Sequence, residues 1–281
     1  LIGGRLILFK YLPVERLDVI RDLKIRYTQL SSLNDYYETY HSVDNKDAFK
    51  SKMQSSLDEL EELWNQLSPA EQAENKSDYE NAIVTLKELW DKSIQDSLMT
   101  QEITNMLDKT LGVLSLSKTN SSLLMWSHYS DSYCGYVIAF DSKHEFFHKK
   151  DQTGKATDPI CMEYTENKPC IKLDSFDAYK QIMGTKDLSW SYEQEFRLTI
   201  NFLGLHPIKN DKNRPVLDQF GNKIYLVDIP KEAIKAIYLG PRISEMTKIA
   251  IVDSLKNNQI ECSVYQGVLS GEKHSVSFDE I

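Results

Sequence analysis

The chain has 281 residues, 41% of them hydrophobic and 27% charged, with a formal net charge of -9. That length buries a substantial core and that composition lies away from disordered chains, while the negative field and the lack of a Lys/Arg run argue against nucleic acid as a partner. No apolar run approaches the roughly 18 to 20 residues of a membrane span, and Leu1 to Tyr11 is too short for a signal peptide and lacks a small-residue cleavage site, so no membrane partner is expected. The cysteines Cys134, Cys161, Cys170 and Cys262 form no CxxC pair and have no His at zinc-ligand spacing. No metal and no disulfide framework are therefore expected, and a reducing cytoplasm is the simplest home.

Arg5 to Tyr11 reads as a first strand, and Pro13 opens a short helix in which Leu17, Ile20 and Leu23 face a core. Lys24 to Gln29 is a second extended piece. Ser31-Ser32-Leu33-Asn34-Asp35 has turn chemistry and precedes the aromatics Tyr36, Tyr37 and Tyr40. From Asp44 to Lys109 charged helix formers carry Leu, Trp and Met at three- and four-residue spacing, including Trp64 and Trp90, which predicts two antiparallel helices. Ser68-Pro69-Ala70-Glu71 between them has the pattern of a capped helix start. No Pro/Gly/Ser-rich linker isolates this block, so it reads as a helical insertion or cap, residues 44 to 109, within a single domain spanning 1 to 281. Its apolar stripe must be buried somewhere, against the core, as a lid, or in a homodimer.

After it the chain becomes strand-rich. Strands are predicted at Gly112 to Ser117, Gly135 to Asp141, Ile160 to Tyr164, Tyr192 to Phe202, Lys223 to Asp228, Ile234 to Leu239 and Glu261 to Tyr265. Helices are predicted at Ser121 to Tyr129, Ser175 to Met183, and from a Ser244 cap to Leu255. Without a regular βαβ alternation the fold class is α+β: a mixed, mostly antiparallel curved sheet with flanking helices. No Gly-rich phosphate loop follows a strand, which removes the P-loop and dinucleotide folds.

Chemistry concentrates in three places. In the strand Tyr192 to Phe202 the period of two sets Glu193, Glu195, Arg197 and Thr199 on one face. That face reads either as a solvated surface on which Glu195 and Arg197 offset each other, or as two carboxylates about 6 to 7 Å apart at the backbone, beside a cation and the aromatic residues Trp190 and Tyr192. Ser115 and Ser117 share a strand face, and the hydroxyl-rich turn after them either caps the next helix or holds an anion. His128, between Trp126 and Tyr129, has no partner at metal spacing and reads as either a hydrogen-bonded residue or a base. Asn34 and Asp35 are open between turn and site.

The blocks Leu8-Phe9-Lys10-Tyr11, Ser32-Leu33-Asn34-Asp35, Leu114-Ser115-Leu116-Ser117, Met125-Trp126-Ser127-His128-Tyr129, Gly135-Tyr136, Trp190-Ser191-Tyr192-Glu193-Gln194-Glu195-Phe196-Arg197 and Ile237-Tyr238-Leu239-Gly240 together resemble the bacterial family catalogued as domain of unknown function 2971. The order of the blocks is the family's and they cover nearly the whole chain, but the family has no settled biochemical role. A looser similarity is to ADP-ribosyltransferases, in which a first-strand basic residue, a Ser-x-Ser-like strand and a Glu-x-Glu motif occur in that order. Lys10, Ser115-Leu116-Ser117 and Glu193-Gln194-Glu195 follow it, although Lys10 stands where Arg or His is expected, unless Arg5 takes the role, and the central Thr is missing. That similarity implies NAD as co-substrate, Glu195 as catalytic carboxylate, Glu193 positioning an acceptor and Arg197 beside them. The ligand-binding candidates are Lys10, Tyr11, Asn34, Asp35, Ser115, Ser117, Trp126, His128, Tyr129, Trp190 and Tyr192. The partner is then a small-molecule nucleotide or a protein acceptor. The alternative is a non-enzymatic sensor or interaction module that uses the Glu/Arg/Tyr face. The enzymatic reading requires Lys10, Ser115 and Glu195 to line one cleft, with Trp190 or Tyr192 in reach.

Overall fold

Stretches of alternating or continuous β-branched and aromatic residues form the strands of the computed structural model, which describes residues 6–39, 42–43, 46–93, 104–148, 158–172, 177–202 and 204–281. They are β1 (Ile7–Leu12), β2 (Lys24–Tyr27), β3 (Ser42–Val43), β4 (Leu111–Ser117), β5 (Tyr136–Asp141), β6 (Ile160–Cys161) and β7 (Glu163–Thr165). The later ones are β8 (Cys170–Ile171), β9 (Thr185–Asp187), β10 (Glu195–Asn201), β11 (Tyr225–Asp228), β12 (Ile234–Leu239), β13 (Ser263–Leu269) and β14 (Val276–Glu280). The helices are α1 (Asp18–Asp22), α2 (Lys46–Gln66), α3 (Pro69–Ser93), α4 over residues 104–110, α5 (Leu123–Tyr129), α6 (Ala178–Gly184) and α7 (Glu245–Asn257).

The central sheet has eight strands in the order β14-β13-β12-β5-β1-β4-β10-β6. Its pairs are antiparallel except β12 with β13, which α7 connects. This is an open, mixed, mostly antiparallel sheet of the α+β class. One face packs Leu8, Leu12, Leu114, Leu116, Ile138 and Phe140 against Val19 and Ile20 of α1 and Ile251 and Leu255 of α7. The other packs Tyr11, Val137, Ala139 and Tyr238 against Met125 and Trp126 of α5. Each large apolar side chain so buried stabilises the fold by about 1.5–3 kcal/mol before cavity effects. Ser244 caps α7, its hydroxyl accepting from the Thr247 N–H at 3.1 Å.

The helical segment begins at Lys46 and its two long helices pack on one another, with Trp64 stacked on Tyr79 at 4.2 Å. Glu71 Oε2 accepts from the Ser68 N–H at 2.9 Å, the reciprocal arm of a capping box. The Trp90 side chain and Tyr40, like Arg5, lie outside the described residues.

Two expected strands are corrected. Tyr192 to Phe202 is not one strand: Leu188–Glu193 is a 3-10 helix, Gln194 takes the left-handed conformation at φ 43, and only Glu195–Asn201 is extended. Its charged face is buried, so the solvated-surface reading fails. Ile160 to Tyr164 splits at Met162 into β6, which pairs with β10, and β7, which pairs with β9.

Two glycines of the resembling blocks sit where backbones approach closely. A Cβ at Gly240 would meet the Tyr133 carbonyl oxygen at 2.1 Å and that of Gly135 at 2.7 Å. Both neighbours are backbone, and Tyr133 ends the turn Asp131, Ser132, Tyr133, whose φ values are all positive, at 46, 50 and 72. Gly240→Ala is therefore expected to lower the unfolding free energy by at least about 1–3 kcal/mol in urea denaturation, because the clash cannot be relieved by a rotamer change.

Candidate functional site

β10 places Glu195 and Arg197 on the same sheet face as Ser117 and Ser115, which stand opposite them in register on β4. Phe9 of β1 stands opposite Ser117 in turn, so Phe9, Ser117 and Glu195 form one row across three strands. β1 and β4 pair at this one position, and beside it the Lys10 ammonium donates to the Ser115 carbonyl at 2.9 Å. The left-handed Gln194 turns the chain between the two carboxylates, a strained conformation for a side chain with a Cβ.

Two residues absent from the sequence reading complete the arrangement. Lys186 comes from β9, and Glu38 from the 3-10 turn Tyr36–Thr39. Lys186 Nζ lies 2.6 Å from Glu193 Oε2, 3.0 Å from Glu38 Oε1 and 3.3 Å from Glu195 Oε2. Arg197 holds Glu195 in a fork, Nε to Oε1 at 2.8 Å and Nη2 to Oε2 at 3.1 Å, and also donates to Glu38 Oε2 and to the Met183 carbonyl at 3.3 Å. All five side chains are almost fully buried. The cluster's three carboxylates and two cations leave one negative charge, which Lys10 offsets at longer range.

These surroundings set the proton affinities. Burial alone would raise the Glu195 pKa, but the charges of Arg197 and Lys186 outweigh it and hold it at about 2. For Glu193 burial wins over Lys186 and the Tyr129 hydroxyl, and its pKa is raised. Tyr129, at the end of α5, donates to Glu193 Oε1 at 2.5 Å and accepts from Asn34 Nδ2 at 2.5 Å. Burial and then the Glu193 charge push the Tyr129 pKa upward. Lys10 is lowered to about 8 by burial, against the raising effect of Glu195.

The Glu195 shift stabilises the fold above the carboxylate's ordinary 4.5 and is lost as pH falls toward 2. Lys10 has the opposite consequence. Below pH 8 both states carry the ammonium and its burial weakens the fold, whereas between about 8 and 10.5 only the folded chain sheds the proton, so stability rises with pH. Lys10→Met is expected to be more stable than the wild type at about pH 7, by on the order of 2–3 kcal/mol, with the difference shrinking at about pH 9.5. Paired urea denaturation at the two pH values measures it; an unchanging difference would refute the burial penalty.

Lys10, Ser115, Ser117, Tyr129, Glu193, Glu195 and Arg197 line a cleft of about 250 Å³, with Asn34 and Lys186 also in its wall. Trp190 lines a second cavity rather than the cleft, and Lys186, which lines both, has its ammonium 4.7 Å from the Trp190 ring centre. Tyr192 packs between Trp190 and His128, at 6.1 and 6.2 Å, and His128 is exposed. Asp35 belongs to the second cavity and accepts from the Tyr37 N–H at 2.9 Å. Trp126 is a core residue, wholly buried, with its indole N–H donating to the Asn120 carbonyl at 2.7 Å. Tyr11 packs on it at 5.4 Å, with its hydroxyl donating to the Thr119 carbonyl, and also lines the cleft. In the hydroxyl-rich turn, Ser122 caps α5 through the Met125 N–H, and Ser117 Oγ donates to the Glu193 carbonyl at 2.6 Å. Among the described residues no three His, Cys, Asp or Glu side chains are grouped to hold a metal ion, and no helix is long and apolar enough to cross a membrane.

Comparison with curated proteins and with solved structures finds no match. A family model described as "Protein of unknown function (DUF2971)" matches residues 125–198. That stretch runs from α5 into β10 and contains Tyr129, Lys186, Glu193, Glu195 and Arg197, whereas Lys10 and Glu38 lie before it. The match supports membership of the DUF2971 family, and it falls on the segment that builds most of the charged cluster.

Proposed function

We propose that the cleft between β1, β4 and β10 holds the nicotinamide-ribose half of NAD and that the protein is an NAD-using transferase or glycohydrolase. The supporting observation is that Lys10, Ser115 and Glu195, from three distant blocks of sequence, line one cleft on three adjacent strands. At about 250 Å³ the cleft has room for part of the dinucleotide and not all of it, so the adenosine half lies outside. In the reaction the bond between ribose C1' and the nicotinamide nitrogen breaks, nicotinamide leaves with the electron pair, and a nucleophile adds at C1' and loses a proton. Glu195, fixed as an anion, stabilises the oxocarbenium-like transition state through its field. Glu193, with its raised pKa, is placed to take up the nucleophile's proton. Lys10 supplies a cation at the cleft wall.

One observation favours a recognition module instead: both Glu195 oxygens are already held by Arg197 and Lys186, so the carboxylate is not a free ligand for ribose hydroxyls. Incubation with NAD separates the two readings. Nicotinamide release above the no-protein rate supports the enzyme. An NAD-dependent rise in melting temperature without release supports recognition, and neither effect removes NAD from the account.

A further inference from the structure

β1 and β4 pair at Phe9 and Ser117 only, and beside that position Lys10 reaches across to donate to the Ser115 carbonyl at 2.9 Å. The cleft opens there, lined by residues of both strands. We propose that the Lys10 amine forms a covalent imine in this cleft with a small uncharged aldehyde or ketone. The proposal is independent of whether NAD occupies the cleft.

Three cations line the cleft, and they are held differently. Lys186 faces three carboxylates and Arg197 two. Lys10 has no such partner: among the described residues its ammonium makes one hydrogen bond, to a neutral carbonyl, and no ion pair. A charge with so little compensation gives up its proton readily, and burial lowers the Lys10 pKa to about 8. The neutral amine then presents a lone pair at the cleft wall. Lys186, buried too, is raised by the charges of Glu195, Glu38 and Glu193 and stays an ammonium.

In the reaction the nitrogen lone pair adds to the carbonyl carbon and the carbonyl oxygen takes a proton, giving a carbinolamine. Its hydroxyl leaves as water. One amine, one carbonyl compound and one proton from solvent thus give one iminium and one water. The charges select the carbonyl compound, because the buried cluster keeps one negative charge that the Lys10 ammonium offsets. With Lys10 neutral that charge repels a carboxylate-bearing compound, whereas the iminium restores the offset. A volume of about 250 Å³ and the apolar Phe9, Leu33, Leu116 and Met125 in its wall suit a small apolar body.

Benzaldehyde with cyanoborohydride, which reduces an imine to a stable secondary amine, is the probe for the full chain at about pH 7. Peptide mass mapping identifies the labelled lysines. At that pH roughly a tenth of Lys10 is neutral, against roughly one part in 2,500 of an ordinary lysine. Lys10 is therefore expected to be labelled faster than the exposed lysines by about tenfold or more, after allowance for the weaker nucleophilicity of a less basic amine. Its rate should level off as the aldehyde fills the cleft, while theirs keep rising. 4-Carboxybenzaldehyde, with each rate taken relative to that of free Nα-acetyl-lysine, should label Lys10 severalfold more slowly. Labelling of Lys10 no faster than that of the exposed lysines, a Lys10 rate linear in benzaldehyde, or equal relative rates with the two aldehydes would overturn the proposal. No NAD enters the experiment, so its failure leaves the reading of the cleft as an NAD site untouched.

Discussion

Arg197→Met is expected to lower the unfolding free energy by about 3–5 kcal/mol, the loss typical when one partner of a buried ion pair is removed. Methionine fills much of the volume, so the effect comes from charge. Glu195 and Glu38 lose the guanidinium that holds them, and Lys186 alone must compensate three buried carboxylates. The double variant Arg197→Met/Glu38→Leu removes one of the stranded charges and is expected to recover part of the loss in denaturant titration. A double variant less stable than the sum of the single ones predicts would show that side-chain volume, not charge balance, sets the cost.

Under the proposed NAD reaction, Glu195→Gln is expected to reduce nicotinamide release by about 100-fold or more, because it keeps the shape and removes the fixed anion facing the cleft. The same substitution leaves Arg197 with a weaker partner, so a loss of on the order of 1–3 kcal/mol in stability accompanies it. The two effects are separable: rates measured well below both melting transitions report the chemistry, and the melts report the fold. Turnover retained in a destabilised Glu195→Gln protein would make the residue a structural member of the cluster only.

The sequence carries local signals clearly and distant ones not at all. The Ser68 and Ser244 caps and the Glu195/Arg197 pair on one strand face were all legible, because each depends on neighbours a few residues apart. Glu38 was not, since its partner Arg197 lies 159 positions away and nothing beside Glu38 marks it as buried. Lys186 likewise sits among Gly184, Thr185 and Asp187 without a local sign that three carboxylates converge on it. The break at Gln194 escaped periodicity because an alternating pattern continues through it, and only tertiary structure enforces a left-handed glutamine. β14 was missed for a different reason: Val276–Glu280 is a short edge strand, mostly exposed, with two acidic residues. Of the ligand-binding candidates, Trp126 is wholly buried in the core and His128 is exposed, while Tyr11 is buried yet also lines the cleft.

In the proposed function the cleft bounded by Lys10, Ser115 and Glu195 receives the nicotinamide end of NAD. A crystal structure of the chain with carba-NAD, in which a methylene replaces the ribose ring oxygen and prevents cleavage, tests it directly. The nicotinamide-ribose half is expected in the cleft bounded by β1, β4 and β10, with C1' facing Glu195 and the adenosine outside. The analogue bound elsewhere on the chain, or absent from the cleft at saturating concentration, would contradict it.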